Sequence, residues 1–391
     1  MDWGTGGWQQ LWNARRAQLW LTMAAIGAWL PLLGMPARGW LDFSAFYAAG
    51  ALAFGPRVLD LGSIAVYQAA HGLPNTPFLY PPALAIVYVP LTWLPYGLAA
   101  ALHVALQAVA LVAAASLASR VYGIRPRWTI LGTVAWAPAA AGVVSGQNSG
   151  VLLLLTVVAT WALARGSNGL AGLAIGLAAY RPHMGGPLTG LALWRTAWRA
   201  VAVAAVVFAA HYGLGVVATG GSFDWPARWL ATVGAETAND FRSVGWQTLG
   251  LPGILGRLSV AGSAPGSLLG PAMIGYLIGI AVIASALRSL RVWDAQRAVA
   301  LTCALALFAG PRGFTYDGAL LLPAVAILVR EAAARDWPWH YRWLLAAAYG
   351  MAFLWPLGGY LGVSPLALVV LAAPFVLLGR GPFRAFKRVA V

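Results

Sequence analysis

From Gly97 to Ser119 the chain carries no charged residue, and comparable apolar runs recur along most of its length. A helix that crosses the hydrocarbon core of a bilayer needs about 20 such residues. Only 9% of the 391 residues are charged and 61% are hydrophobic, whereas an average soluble domain is about 25% charged. A chain so composed has too little polar surface to stay in solution. The expectation is an all-α, polytopic membrane protein forming a single transmembrane domain over 1–391. The one cysteine, Cys303, lies inside an apolar run, which rules out a disulfide within the chain and argues against a thiol–metal site. The apolar run Leu19–Leu33 is followed by "GMPARGW" rather than a small-x-small cleavage site, so it reads as a retained first span.

About twelve spans are expected, near 18–36, 97–119, 128–145, 149–164, 168–184, 187–195, 200–218, 267–287, 298–310, 317–330, 343–360 and 365–379. The stretches 184–199 and 310–317 read as broken or re-entrant, which is tolerated at membrane depth only under cover of protein or a watery cavity. The segment "FLYPPALAIVYVPLTWLPYG" contains Pro81, Pro82, Pro90 and Pro95 and is read as lying flat rather than spanning. Charge supports this threading. It puts 18 of the 25 Lys and Arg on the cytosolic side and 7 outside, and an excess of loop Lys and Arg marks the cytosolic side. Counting the flat segment as a span reverses every later loop. The same pattern accounts for the net charge of +15 without nucleic acid as a partner. Two long outer loops result, 37–96 with interfacial helices and 219–266, and long loops on a rigid bundle commonly carry binding and catalysis.

The unusual residues gather on that outer face. Asp42, in "LDFSAFYAAG", follows the first span; it is a good helix N-cap, and equally a candidate base. Tyr80 stands in "FLYPP", where the prolines suit a helix start. "SGQNSG" sets Gln147 and Asn148 at a span end, as caps or as ligand contacts. "YRPHMGGP" places Arg181 and His183 beside a proline and two glycines, the mark of a broken helix end where a ligand can reach backbone. "GPRGFTYDGALLLP" brings Arg312, Tyr316 and Asp317 to another span start, Asp317 again a possible cap. Ionisable residues at the membrane edge are costly and point to function. Together they fit one reaction class. Arg grips phosphate bidentately, and a carboxylate can take the proton of an attacking hydroxyl. A phosphate leaving group met by such cations needs no metal, and no DxD-like motif for a metal–nucleotide donor is present.

The motifs "LDFSAFYAAG", "FLYPP", "GQNSGVLLLL", "LAIGLAAYRPHM" and "YDGALLLPAVA" occur in an order and spacing that resembles the family-87 glycosyltransferases, from about 40 to 330. The resemblance implies a GT-C-like bundle and a sugar transfer on the outer face of the cytoplasmic membrane. It further implies a polyprenyl-phosphate sugar donor, mannose foremost, and a glycolipid or glycan acceptor. The anomeric centre would be inverted in one displacement, without cofactor or metal. In that family the acid of the first outer loop is the proposed base, which falls here on Asp42. Arg181, His183 and Arg312 would meet the donor phosphate, and Tyr80, Gln147, Asn148, Tyr316 and Asp317 the rest of the substrate. The chain has Arg181 where the family often has Lys, and "GPRGFT" where it has a His-rich stretch. The lipid tail would lie between spans. Of the 20 Trp, most read as interface anchors, while Trp225, Trp229 and Trp246 could stack on sugars. Two other readings compete. A transporter or flippase of a lipid-linked glycan calls for charges along the middle of several spans, and this chain has almost none there. A non-catalytic scaffold has no need of Arg and His beside a helix break.

Overall fold

Proline and glycine divide the apolar runs into more pieces, and shorter ones, than their hydropathy suggests. The computed structural model describes residues 5–30, 42–258 and 269–379 and contains helices and turns without strands there. Helix α1 (Thr5–Trp29) is followed by three short helices, α2 (Phe43–Ala51), α3 (Leu61–Ala70) and α4 (Ala83–Tyr88). The long α5 (Tyr96–Tyr122) leads into α6 (Pro126–Val134), α7 (Ala137–Val144), α8 (Ser149–Ala164), α9 (Asn168–Leu177), α10 (Pro182–Trp194) and α11 (Trp198–Ala218). Then come α12 (Trp225–Ser243), α13 (Leu251–Leu258), α14 (Leu269–Val292) and α15 (Ala295–Ala309). A 3₁₀ turn, Thr315–Leu321, precedes α16 (Leu322–Ala334), α17 (Trp339–Phe353), α18 (Gly358–Leu361) and α19 (Pro365–Leu378). Proline stands in the first turn of α6, α7, α10, α12, α16 and α19, the position where its missing N–H has no intrahelical partner to lose.

Three of these helices are long and apolar enough to cross a bilayer unaided: Tyr96–Tyr122, Trp198–Ala218 and Gly270–Val292. A fourth candidate is the pair Trp339–Phe353 and Trp355–Leu361, bent by 55°. The other expected spans map onto shorter apolar pieces. The 128–145 run is cut into α6 and α7, and 168–184 ends at the 3₁₀ turn Ala178–Tyr180. The 317–330 run opens with a 3₁₀ turn rather than an α-helix. The segment around the four prolines forms α4 and a 3₁₀ turn, Val89–Trp93. Parts of the expected 18–36 and 267–287 spans, and of both outer loops, lie outside the described residues.

Packing is close where side chains are small. A Cβ at Gly172 of α9 would stand 2.3 Å from the Ala200 carbonyl oxygen of α11, and one at Gly176 would stand 2.6 Å from Val207 Cβ. Helices approach this closely only with small residues at the seam. The buried side chains form two cores. The larger fills the bundle around Trp136, Leu152, Ile175, Leu188 and Leu301. The smaller lies beneath α2–α4 and includes Phe43, Phe46, Phe78, Tyr88 and Trp225. Tyr80 and Leu84 pack against both, so the segment carrying Tyr80 marks the seam between the bundle and its cap.

Candidate active site

Arg181 occupies that seam. It follows the 3₁₀ turn Ala178–Tyr180 and immediately precedes Pro182, the first residue of α10. Its side chain is 2% exposed. A guanidinium has five N–H donors, and four have protein acceptors. Nε donates to Asn148 Oδ1 at 3.0 Å, and Nη2 to Gln147 Oε1 at 2.9 Å and to the Tyr80 hydroxyl at 3.0 Å. Nη1 pairs with Asp317 Oδ1. The guanidinium also stands 5.5 Å from the Tyr80 ring centroid and 5.3 Å from that of Tyr316. Residues far apart in the chain, Tyr80, Gln147, Asn148, Tyr316 and Asp317, are thus gathered on one buried cation.

The two candidate caps resolve differently. Asp317 is not the N-cap, which is Phe314, but the third residue of the turn Thr315–Leu321; there its Oδ2 accepts the Phe314 N–H at 2.9 Å while Oδ1 serves Arg181. Asp42, half-buried, precedes α2 but its side chain accepts no cap hydrogen bond. Its carboxyl meets the side chains of Gln147 and Ser145 instead, and its backbone N–H donates to the Ser145 carbonyl at 2.9 Å. The Gln147 amide can be oriented by its partners. Oε1 receives Arg181 Nη2 and, at 2.6 Å, the Tyr80 hydroxyl. The amide nitrogen is therefore the end left for Asp42. Burial raises the Asp42 carboxyl above the ordinary carboxylate range, and the Gln147 and Ser145 hydrogen bonds and the charge of Arg181 draw it back. Burial pushes the Tyr80 phenol up to about 12, so Tyr80 acts as a neutral donor.

His183, the second residue of α10, opens onto a cavity of about 460 Å³ between α10, α14 and α15. Its lining is one stripe per helix: His183, Pro187, Gly190, Leu191 and Trp194 on α10; Ile283, Leu287 and Leu290 on α14; Thr302, Leu305, Ala306 and Ala309 on α15. These repeats of three and four place each set on one helix face. From His183 to Trp194 the groove follows α10 for about 16 Å at 1.5 Å per residue. A Cβ at Gly190 would meet nothing within 4 Å, so Gly190 leaves the middle of the groove open. Gly310 and Pro311 close the end at His183, and Arg312 follows them. Arg312 pairs with Asp240 of α12, and its guanidinium stands 5.5 Å from the Phe314 ring centroid.

Several participants carried no distinct signal on their own. His103 is buried, its Nε2 3.0 Å from the Gly146 carbonyl oxygen and its ring 5.0 Å from that of Phe43. The available clue was His103 and Gln107 spaced one turn apart on the otherwise apolar α5; Gln107 Oε1 accepts the Val151 N–H at 3.2 Å. Tyr180 donates to the Asn148 carbonyl at 2.8 Å. Among the tryptophans, Trp225 is buried and donates to the Tyr212 carbonyl at 3.1 Å, and Trp229 to that of Leu79 at 3.2 Å. Both pin α12 to its neighbours. Trp246 stacks on Trp355 with the rings 5.9 Å apart and 5° from parallel.

The family model of glycosyltransferase family 87 matches residues 78–311. A curated relative from Mycolicibacterium smegmatis is 28% identical over 349 residues, 81% of this chain and 80% of its own length. It is described as a polyprenol-phosphate-mannose-dependent alpha-(1-2)-phosphatidylinositol pentamannoside mannosyltransferase. No solved structure matches the chain. The matched segment holds Tyr80, Gln147, Asn148, Arg181 and His183 together with the groove that starts beside them, and the chain belongs to glycosyltransferase family 87.

Proposed function

We propose that this membrane glycosyltransferase moves a sugar, mannose foremost, from a polyprenyl-phosphate donor to a glycolipid or glycan acceptor on the extracytoplasmic face of the cytoplasmic membrane. The observation that carries the reading is the groove: an apolar slot between three helices that ends beside His183 and Arg312, with the Arg181–Asp42 cluster adjoining. A polyprenyl chain fits such a slot, and its phosphate then comes to rest at the charged end. The donor named for the curated relative has this chemistry.

In the step envisaged, Asp42 takes the proton of the acceptor hydroxyl as its oxygen attacks the anomeric carbon. The bond from that carbon to the phosphate oxygen breaks on the opposite face, which inverts the centre. Polyprenyl phosphate leaves with the electron pair. Its growing charge is met by Arg312 and His183 at the groove end and, across the wall of Gln147 and Asn148, by the field of Arg181. Arg181 is held so fully by protein acceptors that its first task is to fix Tyr80, Gln147 and Asn148; Asp317 is its counterion. The side chains supply the positive charge, so the step as drawn uses no metal. The short helices α6–α10 would cross the membrane as a packed group, with α2–α4 and α12 lying along its outer surface.

The test is direct. Full-length protein in lipid, given labelled polyprenyl-phosphate-mannose, is expected to transfer the sugar to a glycolipid acceptor, or to hydrolyse the donor slowly without one. Movement of intact donor across the bilayer with neither transfer nor hydrolysis would point to a flippase.

A further inference from the structure

The end of α12 carries a carboxylate that the step above does not use. Asp240 lies in the last turn of α12, where the unpaired carbonyls of a helix end gather negative potential. Its side chain is 8% exposed, and Glu236 stands one turn before it. Burial and Glu236 both raise its carboxyl above the ordinary range, and Arg312 draws it down. Burial, a like charge and the helix dipole all oppose an ionised group at this position, and Arg312 is what offsets them.

Arg312 is itself incompletely satisfied. Nη2 meets Asp240, but Nε is buried without an acceptor. The residue is 19% exposed and directly follows Pro311 at the groove end. It therefore has one partnered edge and a donor in reserve at the place where a lipid phosphate would arrive. At its other end α12 is fixed by Trp225 and Trp229, so the Asp240 contact can open without loss of the helix.

We propose that Asp240 is the exchangeable counterion of Arg312, holding the guanidinium at the groove end while the site is empty and yielding it to the phosphate of the lipid-linked donor. Asp240 is on this view a positioning residue, and the inference rests on the donor reading above. An ion pair that must be broken lowers donor affinity by the strength of that pair. In return the guanidinium stays in place, and the carboxylate reclaims it when polyprenyl phosphate departs.

The test is a double-mutant cycle on full-length protein in detergent, with decaprenyl monophosphate as the calorimetric probe. Asp240→Asn is expected to bind the probe about tenfold more tightly, tenfold being about 1.4 kcal/mol. Arg312→Ala is expected to bind it about tenfold more weakly or worse. In the Arg312→Ala background, Asp240→Asn should change nothing. Thermal midpoints identify any variant that has lost its fold, and Asp240→Ser then serves in place of Asn. If Asp240→Asn leaves affinity unchanged or weakens it, the exchange is wrong. It is equally wrong if the tightening survives without Arg312, since a general charge effect then explains it. A wild-type protein that does not bind the probe overturns the donor reading and the exchange together. Binding that is indifferent to Asp240 overturns the exchange alone.

Discussion

Asp42→Asn and Asp317→Asn are the same chemical change at two helix starts, and the structure separates their consequences. Asp42 makes no cap hydrogen bond, so α2 loses nothing at its N-terminus. The Asn oxygen can still accept from the Gln147 amide, and a single hydrogen bond altered in this way contributes on the order of 1 kcal/mol to stability. What disappears is the ability to take a proton, and loss of a general base slows a reaction by about 10²–10⁴-fold, or about 3–5 kcal/mol of barrier at 1.36 kcal/mol per decade. Asp317→Asn behaves in the opposite way. It leaves Arg181, 2% exposed, without its counterion, and breaking one side of a buried pair costs about 3–5 kcal/mol, a large share of the 5–15 kcal/mol that holds a typical domain folded. The assay is sugar transfer by each variant in lipid, with donor affinity and thermal midpoint measured on the same preparations. Asp42→Asn should melt within about four degrees of wild type, since 1 kcal/mol moves a domain of about 150–250 residues by roughly 2–4 °C and a larger one by less, and bind donor, yet turn over at a hundredth of the rate or less. Asp317→Asn should melt early and lose activity in proportion to folded protein. The reasoning fails if Asp42→Asn melts normally and turns over within about threefold of wild type, far less than a general base contributes; the base then lies elsewhere.

Three further outcomes follow from particular residues. Gly190→Leu fills the groove at its open midpoint while favouring helix; it should raise the donor KM about tenfold or more (a difference of 1.4 kcal/mol) for a long polyprenyl donor and much less for a short-chain analogue, and equal effects on both would remove the tail from this groove. Because burial raises Asp42 above its ordinary 3.8 and the base must be ionised, the rising limb of the pH–rate profile should lie above that value; Gln147→Leu, which deletes a hydrogen bond that favours the charged form, should move the limb to still higher pH, and a limb that stays put would detach it from Asp42. For topology, Arg57 and Arg125 are both exposed and the native Cys303 is buried, so Arg57→Cys should react with an impermeant thiol reagent from outside intact cells and Arg125→Cys only after permeabilisation; the reverse pattern would invert the threading.

Class and membership were legible in the chain alone because they rest on composition and local order. A chain with 10 Asp and Glu in 391 residues makes each carboxylate conspicuous, and Asp42, Arg181 and Asp317 stand out by being ionisable beside apolar runs. The helix break at Pro182 could be read from the residue type, since proline acts on the backbone next to it. Span length could not, because hydropathy registers that a run is apolar but not where a 3₁₀ turn or a kink divides it; the 317–330 run is the clearest case. Nor could local sequence separate Asp42 from Asp317. Both are favoured caps, and what decides between them is a guanidinium that reaches Asp317 from 136 residues away in the chain and a Gln147 amide whose free end is fixed by Arg181 and Tyr80. The pairing of Arg312 with Asp240 and the groove between α10, α14 and α15 are of the same kind. Each is made of groups that local preference leaves unrelated, and only the packing of distant helices, which sets burial, partner and charge at once, determines what they do.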